Sequence, residues 1–267
     1  MGKKCKNCGT ELTDRYCPHC GQKASTARIT MSYFFKELEY SLTHADRRGI
    51  FFTVKELFTR PGHMLRDYLL GHRVNYFRPF PLLVVLATFY GVLMHFVLPE
   101  TESSWTADNQ QFVRDLEIAG SFWEQLYRLV NHMVHSYVFE AIVVLPFFAQ
   151  AMKWAFRRSG SKRYNYAECL YVSAYLACQR LVVTFLFWPW TYLHETGVTD
   201  TYGRFWRLLT YFALTVWAFK QFFNIGVKKA IGRTLLVGFF MFLLVLATAV
   251  ITALLVVIPL AFYTGKL

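Results

Sequence analysis

Four cysteines near the head of the chain set the chemistry most open to it: Cys5-Lys6-Asn7-Cys8 and Cys17-Pro18-His19-Cys20, each pair followed by a glycine, Gly9 and Gly21. A Cys-x-x-Cys turn gathers two thiolates about one point, with backbone N–H groups aimed at the sulfurs. Glycine behind the second cysteine permits the tight backbone of such a knuckle. Two knuckles supply four thiolates, which closes a tetrahedral structural site with no open catalytic position. Only eight residues separate the pairs. That is enough for a short hairpin but too little for a core, so a bound metal would provide much of the folding free energy. Zn2+ fits the spacing and a thiol-reducing compartment. Iron in the same cage, a redox dithiol and disulfides are the alternatives. His19 is surplus to four sulfurs.

Two weaker sets of polar residues lie further along. Glu140 and Arg180 fall inside apolar runs, about 24 Å and 21 Å from the ends predicted to face the cytoplasm at 1.5 Å rise per residue. His95 lies at a similar level. Charge in hydrocarbon is costly, so the two charged residues are expected to pair between adjacent antiparallel helices. Such a pair is a helix-to-helix clamp or, with His95, a polar pocket for a relay. Glu168, Lys153, Arg207 and Lys220 lie close enough to span ends to snorkel. His132 and His135, spaced i and i+3, share a helix face and with His194 and Glu195 form a loose metal-ligand set. Interfacial or solvated histidines are the plainer reading of that set. Gln150 and Gln179 are expected to hydrogen-bond between helices, and Cys169 and Cys178 to serve packing.

The elements that must position these residues follow from the distribution of charge. The chain has 267 residues, 55% of them hydrophobic, yet its charged residues are segregated. Long stretches almost free of charge mark bilayer-spanning helices. Five are predicted, at about 80–98, 136–156, 166–190, 205–224 and 234–262. No secretory signal precedes the cysteines, which places the N-terminus in the cytoplasm. Lysine and arginine agree. Residues 1–79 carry 14 of them, and the 157–165 and 225–233 connections carry more. Residues 99–135 and 191–204 are instead acidic on balance. The alternation puts the N-terminus inside and the C-terminus outside, and makes the net charge of +12 largely a topology signal. Nucleic acid is disfavoured as a partner, because acidic residues are interspersed through the basic N-terminal region.

Between the cysteines and the first span, apolar residues recur at helical spacing: Phe34, Phe35, Leu38 and Leu42, then Phe51, Val54, Leu57 and Phe58. Pro61 fits a first helical turn with Thr59 as a cap, and Gly71 fits a C-terminal stop. These amphipathic helices either lie on the inner leaflet or pack on one another, since periodicity does not name the partner of an apolar face.

Residues 4–22, KCKNCGTELTDRYCPHCGQ, resemble the short zinc-ribbon modules of bacterial membrane proteins. Residues 53–85, TVKELFTRPGHMLRDYLLGHRVNYFRPFPLLVV, resemble an uncharacterised family of bacterial multi-span membrane proteins, the domain-of-unknown-function 3667 type. The resemblance rests on Arg60-Pro61-Gly62, Tyr68, Gly71, Arg73, Tyr76, Pro79 and Phe80. It implies a membrane location and a shared juxtamembrane structure; the family brings no activity or catalytic residue.

The sequence therefore predicts an all-α integral membrane protein. Residues 1–24 form a zinc ribbon with Cys5, Cys8, Cys17 and Cys20 as ligands of a structural Zn2+. Residues 25–78 form an amphipathic region and 79–267 a helical bundle in the cytoplasmic membrane. No Walker loop, dinucleotide fingerprint, nucleophile elbow or HExxH helix is present. The expected role is non-enzymatic, with the ribbon docking a cytoplasmic protein partner or sensing. The alternative is a small transporter or permease using Glu140, Arg180 and His95. Homo-oligomers are compatible with either.

Overall fold

The apolar runs fold as helices. The computed structural model describes residues 4–24, 26, 28–36, 49–97, 137–157, 163–193 and 198–252, with the backbone alone at 94–97, 137–143, 188–193, 198–202, 204 and 249–252. A short helix at 31–36 (α1) precedes α2 (Ile50–Thr59), α3 (Pro61–Leu70), α4 (Pro79–Val97), α5 (Tyr137–Ala155), α6 (Tyr166–Leu193), α7 (Val198–Phe223) and α8 (Val227–Thr252). No named strand occurs among the described residues, only isolated bridges at Lys4–Glu11 and Tyr16–Lys23.

Five long helices thus stand where the five spans are expected. Two described stretches are long and apolar enough to cross a membrane, Tyr166–Phe187 in α6 and Val227–Thr248 in α8. α4 contributes a shorter apolar stretch, Pro79–Leu93. α7 starts seven residues before the predicted 205 and takes in Asp200 and Arg204, which dilute its apolarity. α8 likewise starts at Val227 rather than 234, because Lys228, Lys229 and Arg233 continue the helix. Residues 98–136 and the last ten of the predicted final span, 253–262, lie outside the described residues.

α6 and α8 use their apolar surface in opposite ways. α6 packs against α2, α3, α4, α5 and α7. From Ala167 to Gln179 every residue is buried, because a helix surrounded on all sides needs no polar face. α8 packs on α5 and α7 alone among the strong helix pairings. It leaves Leu235, Phe239, Phe242, Leu243, Val245 and Leu246 exposed. At roughly 25 cal/mol per Å2, a contiguous apolar surface of this kind is unfavourable in water, and hydrocarbon removes the cost.

The amphipathic region follows neither expected arrangement alone. α2 and α3 pack on each other, but both also dock onto α6, and α3 onto α7. Leu57, Met64, Leu65 and Tyr68 belong to the same continuous core as Leu82, Ala149, Met152, Tyr171 and Phe219. Polar groups seal the join. Gln179 Nε2 donates to Leu57 O at 2.8 Å, and Tyr175 OH to Phe77 O at 2.7 Å. Gln179 thus serves the helix-packing role expected of it. Its position, about 20 Å along α6 from Tyr166, shows how far the hairpin reaches between the long helices.

Local signals explain the hairpin's bends. Pro61 opens α3, but Thr59 does not cap it: Arg60 takes that position without a side-chain bond, and Thr59 Oγ1 donates back to Lys55 O at 3.0 Å. Gly71 ends α3 at φ 111°, and its N–H donates to the carbonyls of Asp67 and Tyr68. Gly62 lies so close to α7 that a Cβ there would sit 2.3 Å from Gln221 Cβ and from Phe222 N. Its N–H donates to Gln221 Oε1 at 3.0 Å. Arg66 Nη2 donates to the carbonyls of Gln221 at 2.6 Å and Phe222 at 2.7 Å. These last carbonyls of α7 lack helical partners and carry the negative end of its dipole, so a cation suits them.

Because backbone atoms meet Gly62, its neighbours cannot step aside. Gly62→Ala should lower stability by about 1–3 kcal/mol through overpacking, seen as a lower Tm of the detergent-solubilised protein. Gly238→Ala, with nothing within 4 Å of the added methyl, should not.

Candidate metal centre and its junction with the bundle

The two cysteine knuckles repeat one backbone design. Cys5 N–H donates to Thr10 O and Cys17 N–H to Gln22 O, both at 2.8 Å. Gly9 N–H donates to Cys5 O and Gly21 N–H to Cys17 O, both at 2.9 Å. Closing these loops needs a left-handed residue, and Gly9 and Gly21 supply it at φ 78° and 70°. The four sulfurs of Cys5, Cys8, Cys17 and Cys20 all lie within 4.8 Å of one another. Cys5 Sγ is 3.6 Å from Cys20 Sγ, and Cys8 Sγ 3.4 Å from Cys17 Sγ. A tetrahedral site with metal–sulfur bonds of about 2.3 Å has edges of about 3.8 Å, so the cluster has the size to hold a metal ion. All four are free cysteines, well beyond the ~2.05 Å of a disulfide. His19 is not part of the cluster.

The sulfurs differ in environment. The hydroxyl and backbone of Thr10 hold the Cys8 thiol down at about 5. Burial pushes Cys20 up to about 11. Cys8 is therefore the readier of these two thiols to ionise. A bound divalent ion would favour the thiolate form of all four.

Side chains from both sides join this module to the helices. Lys6 Nζ donates to Thr26 O at 2.7 Å. The Lys6 stem and Thr26 flank Gly71, where a Cβ would lie 3.1 Å from Lys6 Cδ. Gln22, buried in the second knuckle, accepts from Arg73 N–H at 3.3 Å. The Arg73 guanidinium lies over the rings of Tyr33, at 5.1 Å, and Tyr68, at 5.5 Å. Its Nε donates to Tyr68 O at 3.1 Å.

A further tie is ionic. Arg28 grips Glu168 with two bonds, Nε to Oε1 at 2.7 Å and Nη2 to Oε2 at 2.8 Å. Nη2 also donates to Arg163 O at 2.9 Å. Glu168 and Asn165 cap α6 reciprocally: Asn165 N–H donates to Glu168 Oε2 at 2.8 Å, and Glu168 N–H to Asn165 Oδ1 at 2.7 Å. Asn165 Nδ2 donates to Ile29 O at 2.8 Å. Glu168 was expected to snorkel toward water. Instead it is buried, where Arg28 and Ile29 of the segment after the cysteine module bond to it and to Asn165.

The other sequence-derived sites are only partly reached. The Arg180 guanidinium lies 5.5 Å from the ring of Phe148 on α5. α5 and α6 pack together, as a Glu140–Arg180 pair requires. The side chains of Glu140 and His95 lie outside the described residues, as do His132, His135, His194 and Glu195. Cys169 and Cys178 are buried, as packing residues should be. Sequence reasoning missed Arg28, Arg66 and Gln221. The Asn165-x-x-Glu168 spacing was a readable capping signal, but its partner Arg28 is 140 residues away.

Residues 47–91 match the model of an uncharacterised family, described as "Protein of unknown function (DUF3667)". The match covers α2, α3 and most of α4, and includes every residue on which the resemblance rests. No curated protein and no solved structure matches the chain. The matched residues cluster at the junction: Gly62 against α7, Tyr68 stacked on Tyr171, Gly71 and Arg73 against the cysteine module, and Phe80 against Phe34 and Tyr171.

Glu168→Gln keeps the shape of the capping residue but removes the charge that Arg28 holds. The expected loss is about 1–2 kcal/mol, as for charge-assisted bonds. Faster limited proteolysis after residue 24 in the folded protein should accompany it, since the tie between the cysteine module's following segment and the bundle is weakened.

Proposed function

We propose that the chain is a multi-pass integral membrane protein whose N-terminal module binds structural Zn2+ and works as a cytoplasmic docking or sensing element, not as an enzyme. One observation carries this reading: a cluster of four sulfurs, enough to fill a tetrahedral coordination sphere, is joined to the helices by Gln22 on Arg73 and by Arg28 of the following segment on Glu168. A closed tetrahedral site offers a bound metal no place for substrate. What the module presents outward is surface, including the exposed Tyr16 beside a shallow cavity with Asp14, Arg15 and Lys23. The apolar outer face of α8 supports insertion in lipid. The lysines and arginines at the ribbon end support a cytoplasmic N-terminus, and the five long helices then act as the spans.

Within the bundle, Glu140 and Arg180 act as a clamp between α5 and α6, a reading supported by the packing of these two helices on each other. Exchanging the two charges, Glu140→Arg with Arg180→Glu, should restore most of the Tm that either single change lowers. A double variant no better than the worse single would discard the clamp.

For the module, the full-length protein purified in detergent should carry about one zinc per chain by elemental analysis, lost in Cys5→Ser/Cys17→Ser. A photo-crosslinking residue in place of Tyr16 should capture a defined cytoplasmic protein in cells only when the four cysteines are intact. Zinc-loaded protein that captures nothing would remove the docking role, and iron in place of zinc would remove the structural-zinc assignment.

A further inference from the structure

We infer that the ribbon end of the bundle holds a binding site for the phosphate headgroup of an anionic phospholipid. The inference rests on the membrane reading above. The site is a cavity of about 350 Å3 where the end of α5, the start of α6 and the end of α7 meet. Its floor is apolar: Met152, Phe156 and Cys169 are buried. Phe223 stacks flat on Phe156 at 3.7 Å. Its rim carries three exposed cations, Lys153, Arg157 and Arg163.

No described carboxylate neutralises that rim. The ion pairs among the described residues are Arg28–Glu168 and Arg60–Glu56, and neither involves a rim cation. Glu168, the acid nearest in sequence, is not among the lining residues and is engaged by Arg28 and Asn165. The same Arg28 binds the carbonyl of Arg163 at 2.9 Å, which fixes the backbone at the rim and leaves the guanidinium outside that bond. The C-terminal end of α5, whose dipole would repel an anion, is offset by Arg233, which donates to Ala155 O. The described lining therefore carries three cations and no carboxylate.

The surroundings choose between a lipid and a soluble phosphate. The cavity lining continues to Trp154, which is exposed and packs edge-on against Phe240 of α8 at 5.7 Å. Beyond it run the exposed Leu235, Phe239 and Phe242. A cationic rim, an interfacial tryptophan and an apolar strip in that order match a headgroup, a glycerol ester region and acyl chains. A site for a free phosphate would instead be lined by convergent backbone or hydroxyl donors.

The test uses native mass spectrometry of the full-length protein in detergent, titrated with phosphatidylglycerol or with phosphatidylcholine. Phosphatidylglycerol should bind with clear preference. Removing one rim cation should weaken it about fivefold, and Lys153→Gln/Arg157→Gln/Arg163→Gln on the order of a hundredfold. Lys228→Gln/Lys229→Gln, which removes exposed charge outside the cavity, should leave it nearly unchanged. Equal binding of the two lipids by the wild-type protein overturns the inference without relying on any variant. Equal loss in the Lys228/Lys229 control reduces the site to diffuse surface charge and also overturns it. Displacement of the lipid by an equal concentration of inorganic phosphate would assign the cavity to soluble phosphate instead. Extraction of the wild-type chain from membranes by alkaline carbonate would sink the membrane reading itself. A chain that resists carbonate yet shows no lipid preference sinks this inference alone.

Discussion

A carboxylate buried at the first turn of α6 constrains much of what lies around it. A buried charge is tolerated only when its oxygens are bonded and its charge is answered. Glu168 meets that demand with two groups from different parts of the chain: the Asn165 backbone and the Arg28 guanidinium. Meeting it fixes the path of the segment leaving the cysteine module, the start of the most enclosed helix, and the backbone of Arg163. The charge pair is half exposed on its arginine side. Its value therefore lies less in raw Coulomb energy than in specifying one geometry for a junction that apolar contacts alone would leave loose.

Around that point the apolar contacts do the larger share of the stabilising. The hairpin of α2 and α3 fills space beside α6 with Leu57, Met64, Leu65 and Tyr68, and its aromatic contacts continue through Tyr171 and Tyr175. Backbone polar groups that such insertion would strand are met by Gln179, Tyr175 and Thr53, whose Oγ1 accepts from Phe77 N–H at 2.8 Å. Buried polar groups at this join are paired, as buried polar groups must be.

The four cysteines were legible because their chemistry is local: spacing and a following glycine determine a knuckle whatever surrounds it. The helices were legible because apolar runs are long, and the end of α3 because Gly71 marks it. The docking of α2 and α3 was not, since an amphipathic face states that it will be covered without naming the cover. Glu168 was misjudged for a related reason. Nearness to a helix end reveals distance from water along the helix axis, whereas burial depends on a segment far away in sequence. Arg66 gave no signal, because a cation that satisfies another helix's carbonyls shows its role only once the two are neighbours. The pairing of Glu140 with Arg180 stays between the two cases: the helices it needs do pack, and the Glu140 side chain lies outside the described residues.

The contact of Gly62 and Arg66 with the end of α7 spans some 155 to 159 residues of chain. The hairpin leaves the ribosome long before its acceptor exists. Until α7 is made, the hairpin's apolar face and the Arg66 guanidinium have no final seat, and contacts of such long range are slow to form. The seat of Gly62 and Arg66 is therefore completed only late in synthesis. The cysteine module, whose knuckle hydrogen bonds all close within residues 5–22, is free to form first.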